Sequence, residues 1–232
     1  MSGTASSKPD AGEAEKLRVQ AQQLDVLLSE EQAASLVRYL GLLERWNKVY
    51  NLTAVRDRSQ MRVQHLLDCL AVVAPLTRAL PVSGVVIDVG SGAGLPAAVI
   101  AVCRPDLRVL SVDAVEKKTR FVAQVAAELK LPNLSAIHGR IEALNEKADV
   151  ITARAFSSLS DLVTLTKNLL VPNGIWMAMK GKSPQDELAA LPKDVQVFHV
   201  EQLHIPELNA DRCLVWLRPG SSSATPAPLS TD

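Results

Sequence analysis

The chain has 232 residues, 25 basic and 25 acidic side chains, and a hydrophobic fraction of 47%. That is enough apolar material for a full core in one domain with a modest extension. The charge balance argues against a broad nucleic-acid-coating surface, and no apolar run approaches the ~20 residues of a membrane span. Cys69, Cys103 and Cys213 are odd in number and far apart, which points to reduced core thiols of a cytosolic protein and away from disulfides or a metal site.

In chain order, Met1 to Glu15 is small and polar, without the basic-then-apolar layout of a signal peptide. Residues 1–15 and 219–232 have the composition of disordered tails. Residues 16–80 are helical in pattern and form an extension ahead of a main domain at 81–218. Ser29 and Gln32 make a capping box before a run in which Leu36, Leu40, Leu43 and Tyr50 share one face. A break follows at Asn51-Leu52-Thr53, then a charged loop from Arg56 to Arg58. Ser59 is expected to cap a further helix that faces the core through Val63, Leu66, Leu67 and Leu70. Between Arg38 and Arg62, six basic residues stand against Glu44 and Asp57. Such an excess suits phosphate binding, but a solvated helical face is the commoner outcome.

The most informative stretch is Val85-Val86-Ile87-Asp88-Val89-Gly90-Ser91-Gly92-Ala93-Gly94-Leu95-Pro96. A β-branched run ends in an acid, and three glycines at alternate positions precede an apolar helix opened by proline. This strand–turn–helix unit is where open α/β sheets bind nucleotide-like ligands. A dinucleotide fingerprint would need a small residue at position 95, which is Leu95. The G-x-G-x-G spacing is instead similar to the first motif of S-adenosylmethionine-dependent methyltransferases. Asp113 ends the next apolar run, 23 positions after Gly90, near the ~20-residue offset at which a second-strand carboxylate reaches ribose hydroxyls. Further strands are expected near 107–112, 134–137, 148–152, 174–180, 195–200 and 213–217, and helices near 96–103, 115–130, 158–171 and 184–191. The alternation predicts an α/β fold with a seven-stranded, mostly parallel sheet and helices on both faces; the last two strands lack a helix between them, which suggests an antiparallel strand at one edge.

The third strand runs into His138-Gly139-Arg140-Ile141-Glu142. In nucleoside-binding folds this loop passes the base, so Ile141 and Glu142 are candidates to cover and read adenine, although a solvated loop is as consistent with the sequence. His138 reads as a surface residue at a strand end. The fourth strand ends in Ala153-Arg154-Ala155-Phe156. It lacks the Asp/Asn-Pro-Pro-aromatic motif of enzymes that methylate exocyclic amines. The chain also has no Pro-Cys pair of the kind that supplies a nucleophile for cytosine-carbon methylation.

Four segments then resemble the RsmG/GidB family, which methylates N7 of a guanine in bacterial small-subunit ribosomal RNA. They are Trp46-Asn47-x-x-Tyr50-Asn51-Leu52-Thr53, the Asp88–Pro96 turn, Arg154-Ala155-Phe156 and Lys180-Gly181. The resemblance spans about residues 20–218 in the same order and departs at Ala97, where a further glycine is common. It implies a Rossmann-like class I methyltransferase fold that binds S-adenosylmethionine, releases S-adenosylhomocysteine and needs no metal. Gly90, Gly92, Gly94 and Leu95 would contact the cofactor, Asp113 its ribose, and Ile141 and Glu142 its adenine. Arg154 would sit beside the methionine end and the incoming guanine, positioning it without acting as a general base, because N7 carries a lone pair and no proton. A strand-end salt bridge is the competing role for Arg154. Asn51, Arg56, Arg58, Lys180 and Lys182 are weaker candidates to line an RNA-facing mouth, with Tyr50 or Phe156 as a stacking face, although a place in the core is the commoner outcome for both. The expected partner is 16S rRNA or the 30S subunit, met by a cytoplasmic monomer. A methyltransferase of small molecules or proteins, or a non-catalytic RNA-binding scaffold, are the alternatives.

Overall fold

The computed structural model describes residues 11–182 and 184–220. Its seven strands are β1 (Val85–Val89), β2 (Arg108–Asp113), β3 (Leu134–His138), β4 (Ala148–Arg154), β5 (Leu170–Lys180), β6 (Val195–Leu203) and β7 (Arg212–Pro219), and they form one sheet ordered β3-β2-β1-β4-β5-β7-β6. Strands β1 to β5 pair in parallel, and β7 is antiparallel to both β5 and β6. The antiparallel strand was expected at an edge; it lies inside the sheet, and β6 forms the edge. Composition explains the exchange. Cys213 to Leu217 of β7 are buried without a break, so this strand needs a neighbour on each side, whereas β6 carries Gln196, His199, Glu201 and Gln202 and tolerates a solvated edge.

The helices are α1 (Ala11–Gln22), α2 (Glu30–Tyr50), α3 (Arg58–Met61), α4 (Asp68–Leu70), α5 (Val73–Ala79), α6 (Ala97–Cys103), α7 (Glu116–Glu128), α8 (Leu159–Thr166) and α9 (Gln185–Ala189). A six-residue π-helical segment, Arg62–Leu67, joins α3 to α4. The Ser29–Gln32 capping box is present in full at the start of α2. Three local expectations are corrected. Helix α1 begins at Ala11, inside the stretch read as a tail; residues 1–10 and 221–232 lie outside the described residues. Asp57, not Ser59, caps α3: its carboxylate accepts the Gln60 amide at 2.8 Å, and the Ser59 hydroxyl donates to the same group. A carboxylate at a helix start also meets the positive end of the helix dipole. The helix expected over 158–171 stops at Thr166, because Leu170 already belongs to β5.

The strand pleat divides the core. Val86, Val109 and Val150 pack on the face that carries α2, α6 and α7, while Ile87, Leu110 and Ile151 pack on the face of α8. Buried residues of the N-terminal helices (Leu17, Leu36, Leu40, Leu67) and of the sheet's first face belong to one continuous cluster. The helical extension therefore packs on the sheet beside the glycine turn. Cys69 and Cys213 are buried and Cys103 half-buried, all as free thiols; burial pushes Cys69 and Cys213 up and Cys103 up to about 12. Among the described residues no helix is long and apolar enough to cross a membrane.

Candidate active site

Strand order reverses between β1 and β4, and the loops that leave their carboxyl ends diverge there into a crevice. The turn after β1 enters it. Gly90 (φ 65°) and Gly94 (φ 78°) take left-handed conformations, and a Cβ on Gly94 would come within 3.0 Å of Val122 on α7, so the turn needs glycine there both for its backbone and for close approach. Asp88 braces the turn from below. One carboxylate oxygen accepts from the Ser91 hydroxyl at 2.5 Å and from the Ala97 amide at 3.1 Å. The other oxygen is buried and has no hydrogen-bond partner among the described residues, and burial raises the group to about 7 against those two bonds. Asp113 braces the turn from the side: it accepts the Gly92 amide at 2.9 Å and the Val115 amide at 2.8 Å, with Lys118 at 3.5 Å. The buried Tyr39 hydroxyl of α2 donates to the Ala93 carbonyl at 2.7 Å, tying the N-terminal extension to the turn.

Opposite the turn, the π-helical segment and the strand ends supply a second wall. Together they enclose a cavity of about 580 Å³, lined among others by Gly90, Gly92, Leu95, Leu52, Thr53, His65, Asp68, Arg154, Lys180 and Arg212. Asp68, 3% exposed, holds two arginines from separate strands: Arg154 of β4 at 3.2 Å and Arg212 of β7 at 2.8 Å. Arg154 Nη1 also donates to the Gln64 carbonyl at 3.1 Å. His65 is lowered to about 4, first by burial and then by the Arg154 charge. Its Nδ1 lies 3.0 Å from the Gln64 carbonyl, which only accepts, so Nδ1 carries the proton and Nε2 accepts the Thr53 hydroxyl at 2.9 Å. A π-helical turn widens the local helix, and such turns gather at functional sites; here it carries His65 and is followed at once by Asp68.

Of the residues singled out in the sequence, Gly90, Gly92, Leu95, Arg154 and Lys180 line this cavity, while Gly94 and Asp113 shape the turn behind it. Ile141 and Glu142 are not on its wall. Ile141 is buried with Val89 and Val112, Glu142 is exposed, and their loop is held to the end of β2 by the Gly139 amide on the Asp113 carbonyl at 3.1 Å. Asn51 is first a helix cap, with a left-handed backbone (φ 49°) and its side-chain oxygen taken by Arg56 at 3.1 Å. Arg58 is paired with Glu44 inside the basic window and with Glu13 from outside it, and Arg62 with Glu207, so two of the six basic residues gain partners from outside the window. Lys180 is paired with Glu187 at 2.7 Å, and Lys182 is exposed beyond the end of β5. His65, Asp68, Lys118 and Arg212 were missed in the sequence. The signal available for them was a polar residue on an otherwise apolar helical face, as in His65-Leu66-Leu67-Asp68.

The donor set fits an adenosyl-sulfonium cofactor: a cavity of sufficient size, a turn of bare backbone, and at its side a carboxylate with further acceptor capacity. Among the described residues no group of His, Cys, Asp and Glu could hold a metal ion.

Comparison with known proteins agrees with this architecture. A solved S-adenosylmethionine-dependent methyltransferase from Aquifex aeolicus superposes with a TM-score of 0.54 at 15% identity, covering 72% of this chain and 96% of that one. The fold is thus that of the class I methyltransferases. Ribosomal RNA small subunit methyltransferase G of Leptothrix cholodnii is 58% identical over 207 residues, 88% of this chain and 95% of that protein. The protein of the same name from Methylibium petroleiphilum is 52% identical over 206 residues, covering 88% and 93%. The family model described as rRNA small subunit methyltransferase G matches residues 32–215, and the chain belongs to that GidB family.

Proposed function

We propose that this protein transfers a methyl group from S-adenosylmethionine to N7 of a guanine in 16S rRNA, acting as a cytoplasmic monomer on free RNA or on the 30S subunit. The observation that carries the proposal is the single cavity that joins the glycine turn to Arg154 and the Asp68–Arg212 pair. When bound, the cofactor supplies an electrophilic methyl on a sulfonium. Gly90, Gly92 and Leu95 present the turn to it, Asp113 accepts from its ribose hydroxyls, and Ile141 and Glu142 border its adenine outside the cavity wall.

Guanine N7 has a lone pair and no proton, so the residues must position it without deprotonating it. Alignment of this kind can lower a barrier by ~7–11 kcal/mol. Both Arg154 bonds use Nη1, which leaves its other N–H groups for the guanine O6. Donation to N7 itself would occupy the attacking lone pair, although that contact is common in guanine readout. Leu52 and Leu95 help exclude water, and Lys180 and Lys182 stand at the mouth for RNA phosphate.

The test is incubation with methyl-labelled S-adenosylmethionine and either 30S subunits or naked 16S RNA. Label at a guanine that becomes sensitive to cleavage chemistry specific for 7-methylguanosine supports the proposal. Failure to label any RNA form overturns it.

A further inference from the structure

We propose that the exposed ring of Tyr50, seated on Trp46 two residues before the cavity-lining Leu52, is a stacking platform for an unpaired nucleobase next to the guanine that is methylated. The inference rests on the RNA-directed function proposed above and adds a specific contact to it. Exposure alone would say little, since single apolar residues often face water. The placement says more. Tyr50 is the last residue of α2 and is 45% exposed, in a chain whose aromatic content is only 3%; Phe121 and Trp176 are fully buried, and Phe198, 43% exposed on the edge strand β6, already has Arg218 over its ring. Its ring lies on Trp46 with centroids 4.9 Å apart and an interplanar angle of 37°. Trp46 is itself fixed, by an indole N–H donated to Gln124 at 3.1 Å and an edge-on contact with Phe121 at 5.4 Å. The platform is therefore a supported ring and not a free side chain. Its hydroxyl has no hydrogen-bond partner among the described residues, so the exposed part of the ring is bound to nothing in the fold.

The chain on either side of the platform leads into the candidate active site. Leu52 and Thr53, two and three residues on, line the cavity. From the other side, Lys117 Nζ donates to the Tyr50 carbonyl at 2.9 Å, and the next residue, Lys118, also lines the cavity. Lys48 and Arg56 flank the ring in sequence and are exposed, Lys48 lying 3.9 Å from Glu44 and Arg56 on the Asn51 amide. A supported aromatic face among cations, beside a pocket for one base, is the composition with which proteins hold splayed single-stranded nucleic acid.

The test compares Tyr50→Ala, Tyr50→Leu, Tyr50→Phe and Tyr50→Trp in the full chain, with melting temperature checked for each. For Tyr50→Ala and Tyr50→Leu the KM for 30S subunits rises by about tenfold, the order expected for one lost base–aromatic stack, while cofactor affinity is unchanged. Tyr50→Phe and Tyr50→Trp keep the wild-type KM. An unchanged KM in Tyr50→Ala overturns the platform, and so does rescue by Leu, which would show that only packing on Trp46 matters. Wild-type protein that methylates no guanine overturns the proposed function instead, and direct binding of 16S RNA by the four variants then decides the platform separately.

Discussion

Replacing Asp88 by Asn should change how stability depends on pH, because two buried groups titrate in the same window with opposite sense. Burial raises Asp88 to about 7 from its ordinary 3.8. Between those values the folded protein holds a proton that the unfolded chain has released, so stability falls as pH rises, by about 4 kcal/mol in total at ~1.4 kcal/mol per unit. His65 is lowered from 6.5 to about 4. There the unfolded chain binds the extra proton, and stability rises with pH by about 3 kcal/mol across the window. In the wild type the two contributions nearly cancel. In Asp88→Asn the amide oxygen still accepts from Ser91 and Ala97. The amide nitrogen replaces the unpartnered Asp88 oxygen, in register with the Ser111 and Thr152 hydroxyls of the adjacent strands, which also lack partners among the described residues. The variant's stability should therefore rise by about 3 kcal/mol from pH 4 to 6.5 and exceed the wild type by about 4 kcal/mol near pH 8. Urea unfolding from about pH 4 to about pH 8 gives both curves. Their difference cancels the exposed carboxylates lowered by hydrogen bonds, such as Asp106 and Glu207, which the two proteins share. A difference that stays constant between pH 4 and 7 would refute the reasoning.

Asp68→Asn removes the charge between Arg154 and Arg212, which are 24% and 26% exposed and can recover some hydration. The expected cost is about 1–3 kcal/mol, below that of a fully buried broken pair, with a fall in turnover; unchanged melting temperature and turnover would contradict it. Tyr39→Phe loses the hydroxyl on the Ala93 carbonyl, and should cost about 1–2 kcal/mol and weaken cofactor binding in equilibrium dialysis while leaving turnover at saturation intact. Gly94→Ala forces a side chain into a left-handed backbone 3.0 Å from Val122, so a melting temperature equal to wild type would show that the turn is less tightly packed against α7; a loss of about 1–3 kcal/mol is expected.

What was legible in the sequence is what local chemistry dictates. The glycine turn, Asp113 and the alternation of strands and helices are written within short windows, because left-handed turns, strand-end acids and apolar periodicity each need particular residues in order. The second wall is different. Asp68 joins β4 to β7 through two arginines distant from it in sequence, and no local pattern announces such a meeting. Arg58 shows the same thing: Glu44 was visible in its own window, but its other counter-charge, Glu13, belongs to α1 and lies in a stretch whose composition resembles a tail. The exchange of β6 and β7 could have been read, since an unbroken apolar strand belongs inside a sheet and a half-polar one at its edge. Asn51 carries both meanings at once, a left-handed helix cap by conformation and a neighbour of the cavity by position.

The state of the ionisable groups on the cavity wall bears on which acceptor atom suits it. Asp68 is held by two guanidinium groups, Lys180 by Glu187, Lys118 by Asp113, and both ring nitrogens of His65 by Thr53 and the Gln64 carbonyl. His65, the one side chain whose ordinary titration falls near neutrality, is kept unprotonated by burial and by Arg154, yet its accepting nitrogen is already used. A reaction that must remove a proton from its acceptor, as at an exocyclic amine, would have to break one of these bonds first. Guanine N7 asks for none of this. It needs an electrophile in line, a donor on the neighbouring oxygen and water kept out. The committed charges that disqualify the wall as a general base are the same ones that hold Arg154 still, as the proposed N7 transfer requires.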